Sequence, residues 1–139
     1  MTTLDSVRSR TMRAVRSKDT KPELMVRKLV HAMGYRFRLH RQDLPGSPDL
    51  VFPGRHAVIF VHGCFWHGHD CKRGARRPKE NAEYWLGKIA RNVARDARVL
   101  GELTDDSWRT MILWECELRD RGAVEVRVRQ FLDYPHGRE

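Results

Sequence analysis

Three cysteines and one histidine form the spacing that most constrains how this chain can fold. Cys64, His69 and Cys71 lie in one short Gly/His-rich stretch, and Cys116 comes much later. Four ligands of this type hold Zn²⁺ in a tetrahedron and leave no open coordination position. The spacing predicts one structural zinc that ties this loop to the segment before Cys116. The plainer alternative is three buried cysteines beside a surface histidine.

Length and charge narrow the class of protein. The 139 residues are room for one domain, and 27 Lys and Arg against 18 Asp and Glu give a net charge of +9. This excess favours a polyanionic partner, nucleic acid first. We expect a basic arm over residues 1–18 and a single domain over 19–139. No apolar stretch is long enough to cross a membrane and no secretory signal is visible, so we expect a cytoplasmic protein. No extended exposed apolar face argues for an oligomer, so we expect a monomer.

Periodicity and turn signals predict a mixed α/β domain. Thr20, Pro22 and Glu23 form a capping-box pattern that starts a helix over 21–33. Strands are predicted over 35–41, 50–52, 56–62 and 108–115, a long helix over about 82–103 and a closing helix over 124–132. The long helix should bury an apolar stripe and turn its arginines to solvent; the stripe consists of Leu86, Ile89, Ala90, Val93, Ala97 and Leu100.

Asp49 is the candidate metal ligand of an active site. It opens a short apolar strand directly after a Pro/Gly-rich turn, and a strand-end carboxylate can hold Mg²⁺ against a phosphate. A turn-capping aspartate is the plainer interpretation. His62 and His67, which the zinc set does not need, favour the catalytic one, because imidazole transfers protons near neutral pH.

Aromatic side chains offer a second hypothesis, on DNA binding. Phe65 and Trp66 lie between the zinc ligands, and Trp85 shares a flank of the long helix with Lys88 and Asn92. Core packing is the usual role of such aromatics. In a basic protein they could instead form a wedge that unstacks a base step, which costs least at a mismatch.

Four stretches of the chain resemble one known family. LPGSPDLVF, VIFVHGCFWHGHDC, EYWLGKIARNVARD and ILWEC are similar to the very short patch repair (Vsr) endonucleases, with HGCFWH the most specific segment. The resemblance implies a restriction-endonuclease-like fold, of PD-(D/E)xK type, with a central mixed sheet flanked by helices and a structural zinc. It also implies Mg²⁺-dependent nicking of one DNA strand, 5′ to the thymine of a T:G mismatch that 5-methylcytosine deamination produces.

The resemblance also implies roles for single residues. Asp49 and the backbone carbonyl of Val61 would bind Mg²⁺, two ions in all, beside catalytic His62 and His67 and a supporting Glu23. The zinc ligands would be the four that the spacing indicates. DNA contacts would come from the aromatic wedge, its polar neighbours and the basic arm: Met12, Val15, Phe65, Trp66, Trp85, Lys88 and Asn92.

Two matters stay open at this point. Val61 stands where the family pattern leads us to expect threonine, which is harmless if only the backbone carbonyl binds metal. If the threonine hydroxyl is needed, catalysis would suffer, so the main alternative is a zinc-stapled DNA-binding module without catalysis. A more distant alternative is a nuclease that acts on RNA or unpaired DNA. The implied partners are a T:G-mismatched duplex, mismatch-repair proteins and a companion cytosine methyltransferase, in a bacterial cytoplasm.

Overall fold

The computed structural model describes residues 20–71 and 80–133, so the predicted basic arm with Met12 and Val15 lies outside the described residues. The described part contains three α-helices, four strands and two 3₁₀ turns. The helices are α1 (Lys21–Ala32), α2 (Ala82–Asp105) and α3 (Arg121–Asp133). The strands are β1 (Arg38–Leu39), β2 (Leu50–Phe52), β3 (Ala57–His62) and β4 (Arg109–Trp114), with 3₁₀ turns at Pro53–Arg55 and Glu115–Arg119.

The four strands form one mixed sheet in the order β1-β2-β3-β4. β1 and β2 are antiparallel, as are β2 and β3, whereas β3 and β4 are parallel and are connected through α2. A parallel pair needs such a crossover because its strands start at the same edge of the sheet. The predicted class, a small α/β domain with a mixed sheet flanked by helices, is confirmed.

Each face of the sheet has its own apolar core, as expected for three layers. α1 and α3 cover one face, and this core comprises Val26, Val30, Leu50, Phe52, Ala57, Ile59, Met111, Leu113, Leu118, Val124, Val128 and Leu132. α2 covers the other face, with Leu44, Val51, Val58, Phe60, Val99, Leu103 and Trp108. Alternate residues of β3 therefore serve opposite faces.

The start of α1 follows the predicted capping box. The Glu23 N–H donates to Thr20 Oγ1 at 3.3 Å, and the Thr20 N–H donates to Glu23 Oε1 at 3.3 Å. The helix ends at Ala32, and Gly34 turns the chain away with φ +96°. Local side-chain chemistry thus places Glu23 at a fixed point over the sheet.

The first strand is much shorter than the predicted 35–41. Only Arg38 and Leu39 pair with β2, because β2 itself has three residues between Pro48 and Pro53. Proline cannot donate to a ladder. His40 then leaves the strand with φ +49°, in the left-handed region.

The predicted buried stripe of the long helix is wrong in most positions. Leu86 and Val93 are each 45% exposed, and Ala90 and Ala97 are also exposed. The inward face instead carries the buried residues Ile89, Asn92, Val99 and Leu103, while Arg91, Arg95 and Arg98 are exposed as predicted. The periodicity missed this face because polar residues occupy part of it.

The remaining boundaries lie within three residues of their predictions. α3 begins earlier than predicted because Asp120 Oδ1 accepts the N–H of Ala123 at 3.0 Å, which caps its first turn. No helix among the described residues is long and apolar enough to cross a membrane.

Candidate active site and metal centre

The candidate residues collect where β3 and β4 end. These two parallel strands finish side by side, with His62 opposite Trp114. The Gly/His-rich loop leaves β3 directly after His62, and Cys116 follows Trp114 by two residues. The carboxyl ends of parallel strands are a common place for functional groups, because loops converge there.

The three cysteines and His69 form one compact group. Their ligand atoms all lie within 4.8 Å of one another, with 3.6 Å between Cys116 Sγ and His69 Nδ1. The Cys116 N–H donates to Cys64 Sγ at 3.4 Å, and no disulfide joins the cysteines. The predicted set is thus brought together by two segments that are distant in sequence.

The chemistry of this donor set fits a structural zinc ion. Burial raises the pKa of the Cys64 thiol to about 12 and also raises that of Cys116. Buried thiols in this state need a cation before they ionise, and zinc binding releases their protons. Three sulfurs and one imidazole complete a tetrahedron, so this group has no position for substrate.

Two contacts hold the loop that carries Cys64, His69 and Cys71 against α2. The Asn92 side chain, only 7% exposed, donates to the Trp66 carbonyl at 2.8 Å. Gly68 has φ +64°, and a Cβ there would lie 2.9 Å from Val93 Cγ2. A larger residue at Gly68 would therefore strain the backbone and push the loop off the helix.

A second group surrounds Asp49. Its Oδ2 accepts the N–H of Val61 at 2.6 Å. The register Leu50↔Ile59 would place Pro48 opposite Val61, two residues before the first residue of β2. The Asp49 carboxylate therefore replaces a strand carbonyl at the point where the ladder ends, which fixes it in the plane of the sheet.

Glu23 and His40 complete this acidic group, which we define as Glu23, His40 and Asp49. Their ligand atoms lie within 4.8 Å of one another, and Glu23 is 2% exposed. Burial, together with the neighbouring Glu23 carboxyl group, raises the pKa of Asp49 to about 8, although the hydrogen bond from the Val61 N–H acts to lower it. Two buried carboxyl groups at this distance either share a proton or need a cation.

A third group lies on the α2 face, and we define the imidazole group as His62, His67 and Asp96. The His62 and His67 rings stack with centroids 3.7 Å apart and planes 5° from parallel. Asp96, on α2, contacts His67 Nδ1 through Oδ2 at 2.6 Å. This carboxylate fixes the tautomer of His67 and leaves Nε2 to accept a proton.

The two histidines differ in their ability to transfer protons. Burial, together with the neighbouring His67, lowers the pKa of His62 to about 3. The His62 ring is therefore neutral at physiological pH, and its buried Nδ1 has no hydrogen-bond partner among the residues that the structure describes. Of the two imidazoles, His67 is the one in close contact with a carboxylate, that of Asp96.

The acidic and imidazole groups meet at adjacent residues of β3. Asp49 binds the backbone of Val61, and His62 is the next residue, with its side chain on the α2 face. Trp114 joins the imidazole group to the Cys/His group: its ring stacks on His69 at 4.1 Å and meets His62 edge-on at 5.1 Å. Adjacent residues of β3 thus connect the first two groups, and Trp114 connects the second and third.

The aromatic residues singled out from the sequence also come together. The rings of Phe65, Trp66 and Trp85 lie 5.0 to 6.2 Å from one another, and all three are half-buried. Tyr84 extends this cluster and is 56% exposed. Neither Phe65 nor Trp66 is packed fully inward. Asn92, expected to contact DNA, is buried and already engaged in holding the loop.

Asp96, His40 and Tyr84 were missed by the sequence analysis. Asp96 follows Asn92 by four residues, so helical spacing alone places both on the inward face of α2. That signal was available but was outweighed by the apolar residues on the neighbouring face. His40 gave no signal, because only the turn that ends β1 brings it to Glu23.

Comparison with known proteins identifies the family. The model for "DNA mismatch endonuclease Vsr" matches residues 3–73. A Xanthomonas oryzae pv. oryzae protein named type II nicking enzyme V.XorIIP is 57% identical over 88% of this chain and 89% of its own length. The Escherichia coli protein named DNA mismatch endonuclease Vsr is 43% identical over 84% of this chain and 74% of its own length.

A third relative is also named as a nicking enzyme. The Neisseria meningitidis protein named type II nicking enzyme V.NmeAIP is 39% identical over 91% of this chain and 90% of its own length. Matches of this extent include the ends of β3 and β4, where the three groups lie. This chain belongs to the Vsr family of DNA mismatch endonucleases.

Proposed function

We propose that this protein nicks one strand of duplex DNA on the 5′ side of the thymine in a T:G mismatch, by Mg²⁺-dependent hydrolysis. The names of its relatives support a nicking or mismatch endonuclease. The observation that carries the proposal is the junction on β3, where a buried pair of carboxyl groups and a histidine–aspartate pair meet across Val61 and His62.

The acidic group fits a hard divalent cation. Asp49, Glu23 and the backbone carbonyl of Val61 would hold Mg²⁺, two ions in all, because such oxygens are its usual protein ligands. Bound there, Mg²⁺ supplies positive charge for the phosphate and its leaving oxygen. The raised pKa of Asp49 supports this assignment, since the carboxyl pair lacks a full counter-charge.

The imidazole group supplies the proton transfer. With Nδ1 tied to Asp96, His67 presents Nε2 to a water molecule and can take its proton as the water attacks phosphorus. Neutral His62 supports the ring of His67 from one side and cannot compete for that proton. Asp96 then stabilises the imidazolium, as carboxylates do in other His–Asp pairs.

The aromatic cluster would find and open the mismatch. Half-buried Phe65, Trp66 and Trp85 can enter between base pairs, with Lys88 beside them for a polar contact, while buried Asn92 supports the wedge by holding the loop through the Trp66 carbonyl. The zinc-binding loop gives this wedge a rigid base. Met12 and Val15 of the basic arm are proposed to reach the opposite groove, and +9 net charge favours binding to the phosphate backbone.

We also propose that the fold is restriction-endonuclease-like and that the protein acts as a monomer in the bacterial cytoplasm. Its proposed protein partners are mismatch-repair proteins and a companion cytosine methyltransferase. They follow from the family resemblance of the sequence. The nuclease assay below uses purified protein alone.

The test uses zinc-loaded protein with end-labelled duplexes that differ only in a T:G or T:A pair. We expect one nick, 5′ of the mismatched thymine, that needs Mg²⁺ and that Asp49→Asn strongly slows without loss of DNA binding. Asp43→Asn is the matched control, since Asp43 is an exposed acid that binds Arg41 at 3.0 Å. Mismatch binding without any nick would instead support the DNA-binding module, and cleavage of RNA or unpaired DNA would contradict the substrate.

A further inference from the structure

Three arginines on the outer side of α2 take no part in the proposed reaction. Arg91, Arg95 and Arg98 are exposed and follow one another at spacings of four and three residues. Side chains at these spacings share one face of a helix, so we call this set the arginine row. At 1.5 Å per residue, the row is about 10 Å long.

The arginine row has little negative charge beside it. The only acid between Arg91 and Arg98 is Asp96, whose carboxylate already contacts His67. Arg91 and Arg95 form no hydrogen bond or ion pair with the part of the chain that the structure describes. Arg98 has one ion pair within the helix, at 3.9 Å, and an exposed pair of this length contributes little. The row is therefore positive charge that can bind an anion.

α2 also carries one residue of the aromatic cluster and one of the imidazole group. Trp85 precedes the arginine row, and Asp96, which contacts His67, directly follows Arg95. After burial and His67, the positive charge of Arg95 is a further cause that lowers the pKa of His62, so this charge reaches the imidazole group. A DNA strand that extends from the aromatic cluster to the imidazole group therefore passes along the row.

From this arrangement we infer that the arginine row binds successive phosphates of the strand that carries the thymine, on matched and mismatched duplex alike. Guanidinium groups bind phosphate oxygens through parallel hydrogen bonds, and such contacts carry no sequence information. A row of about 10 Å spans roughly three nucleotides of one strand, at 3.4 Å per nucleotide. The row thus sets how a duplex lies on α2 before the aromatic cluster enters it. The inference rests on the proposed function, because it takes the attacked phosphate to lie at His67.

The first test measures DNA binding by zinc-loaded protein without divalent cations, so that no strand is cut. Arg95→Gln should lower the affinity for T:G and T:A duplexes by the same factor, about tenfold, as expected for one lost hydrogen bond to a charged group. The slope of log affinity against log salt should fall in magnitude by about 0.9, the value for one phosphate contact. Arg91→Gln should behave in the same way. Arg129→Gln removes an exposed arginine from α3, on the other face of the sheet, and should keep the wild-type slope.

The second test locates the contact on the DNA. A neutral methylphosphonate replaces one phosphate at a time in each strand of the T:G duplex. In Arg95→Gln, the replacement at or next to the phosphate 5′ of the thymine should no longer weaken binding, because its protein partner is already gone. Arg91→Gln should cancel the effect of a different, neighbouring position in the same strand.

An unchanged salt slope in both row variants overturns the inference, as does a loss confined to the T:G duplex. Cancellation in the opposite strand, or an equal loss in Arg129→Gln, also overturns it. If both row variants lose affinity and cancel phosphates as expected but no duplex is nicked, the role of the row stands and the proposed function fails. Nicking at the mismatch with unchanged binding in both row variants gives the reverse.

Discussion

The acidic and imidazole groups lie one residue apart on β3, yet burial affects them in opposite ways. In the acidic group, burial raises the pKa of Asp49 to about 8, so the free protein retains a proton there. In the imidazole group, burial lowers the pKa of His62 to about 3, so that ring is neutral. In both groups, burial therefore favours the uncharged form of the side chain in the free protein.

The difference lies in what each group can accept. The carboxyl oxygens of Glu23 and Asp49 can exchange a shared proton for a cation, because both are acceptors held at close range. His67, held by Asp96 and stacked on a neutral ring, can accept a proton at Nε2. In the proposed reaction the acidic group binds the cation and the imidazole group transfers the proton, and hydrolysis of a phosphodiester needs both.

The largest expected effect concerns the imidazole group. His67→Gln should slow nicking by about 10²–10⁴-fold, the usual contribution of a general base. Its affinity for Mg²⁺ should be unchanged, because the acidic group does not include His67. Single-turnover rates at saturating Mg²⁺ measure the first quantity and calorimetric titration the second. A parallel loss of metal affinity would mean that the two groups are not separate.

The next effect is on the free energy of unfolding, through the charge of Asp49. Its pKa is higher in the folded protein than in the unfolded chain, so the folded state binds the extra proton and loses stability as pH rises from about 4 to about 8. Asp49→Asn removes this cost and keeps an oxygen for the Val61 N–H. Without divalent cations, the variant should be more stable than wild type by on the order of 2 kcal/mol at pH 8.

Chemical denaturation of the two proteins at pH 5 and pH 8 checks this. The stability difference should shrink at pH 5, where the unfolded carboxyl binds part of the same proton. Asp43→Asn serves for contrast, because Arg41 lowers the pKa of that exposed carboxyl and its loss should not stabilise the protein. A variant less stable than wild type at pH 8 would contradict the buried, proton-sharing pair.

The pH dependence of Mg²⁺ affinity should also report the proton that Asp49 retains in the free protein. Since Mg²⁺ displaces it from the acidic group, affinity for Mg²⁺ should rise by up to about tenfold for each pH unit until about pH 8. Titrations at several pH values measure the slope. His67→Gln should keep the slope, because it leaves the acidic group intact. A flat profile would mean that Asp49 is already ionised in the free protein.

The smallest expected effect is on mismatch discrimination, and it concerns Trp66, which belongs to neither the acidic nor the imidazole group. Trp66→Ala should reduce discrimination between T:G and T:A duplexes about fivefold to tenfold, the low end for loss of one stacking ring. Binding to matched duplex should change less, because backbone contacts dominate it. Competition binding with the two duplexes gives the ratio. Equal losses on both would exclude the wedge.

What could be predicted from the sequence was local. The capping box at Thr20 and Glu23, the apolar run of β3 and the zinc spacing depend on neighbouring residues, and the structure contains each of them. The spacing of the three cysteines and His69 also predicted a long-range contact, because Cys116 can share a metal ion with Cys64 only if the two segments meet. Metal-ligand chemistry is specific enough to link distant segments.

What could not be predicted was which polar residues are buried. α2 turns Asn92 and Asp96 inward and leaves Leu86 and Val93 exposed, against the rule that apolar side chains mark the core face. Hydrogen bonds to the Trp66 carbonyl and to His67 offset the burial of these polar groups. Those partners lie about 26 residues or more away in sequence, so no local pattern reveals them.

Whether the two groups act on one phosphate is tested most directly by a double-mutant cycle. Single-turnover nicking of the T:G duplex would be compared for wild type, Asp49→Asn, His67→Gln and the double variant, with DNA binding saturated. Groups that serve one step lose activity together, so the double variant should be about as slow as the slower single variant. Losses that multiply, or a single variant that nicks at the wild-type rate, would contradict the account.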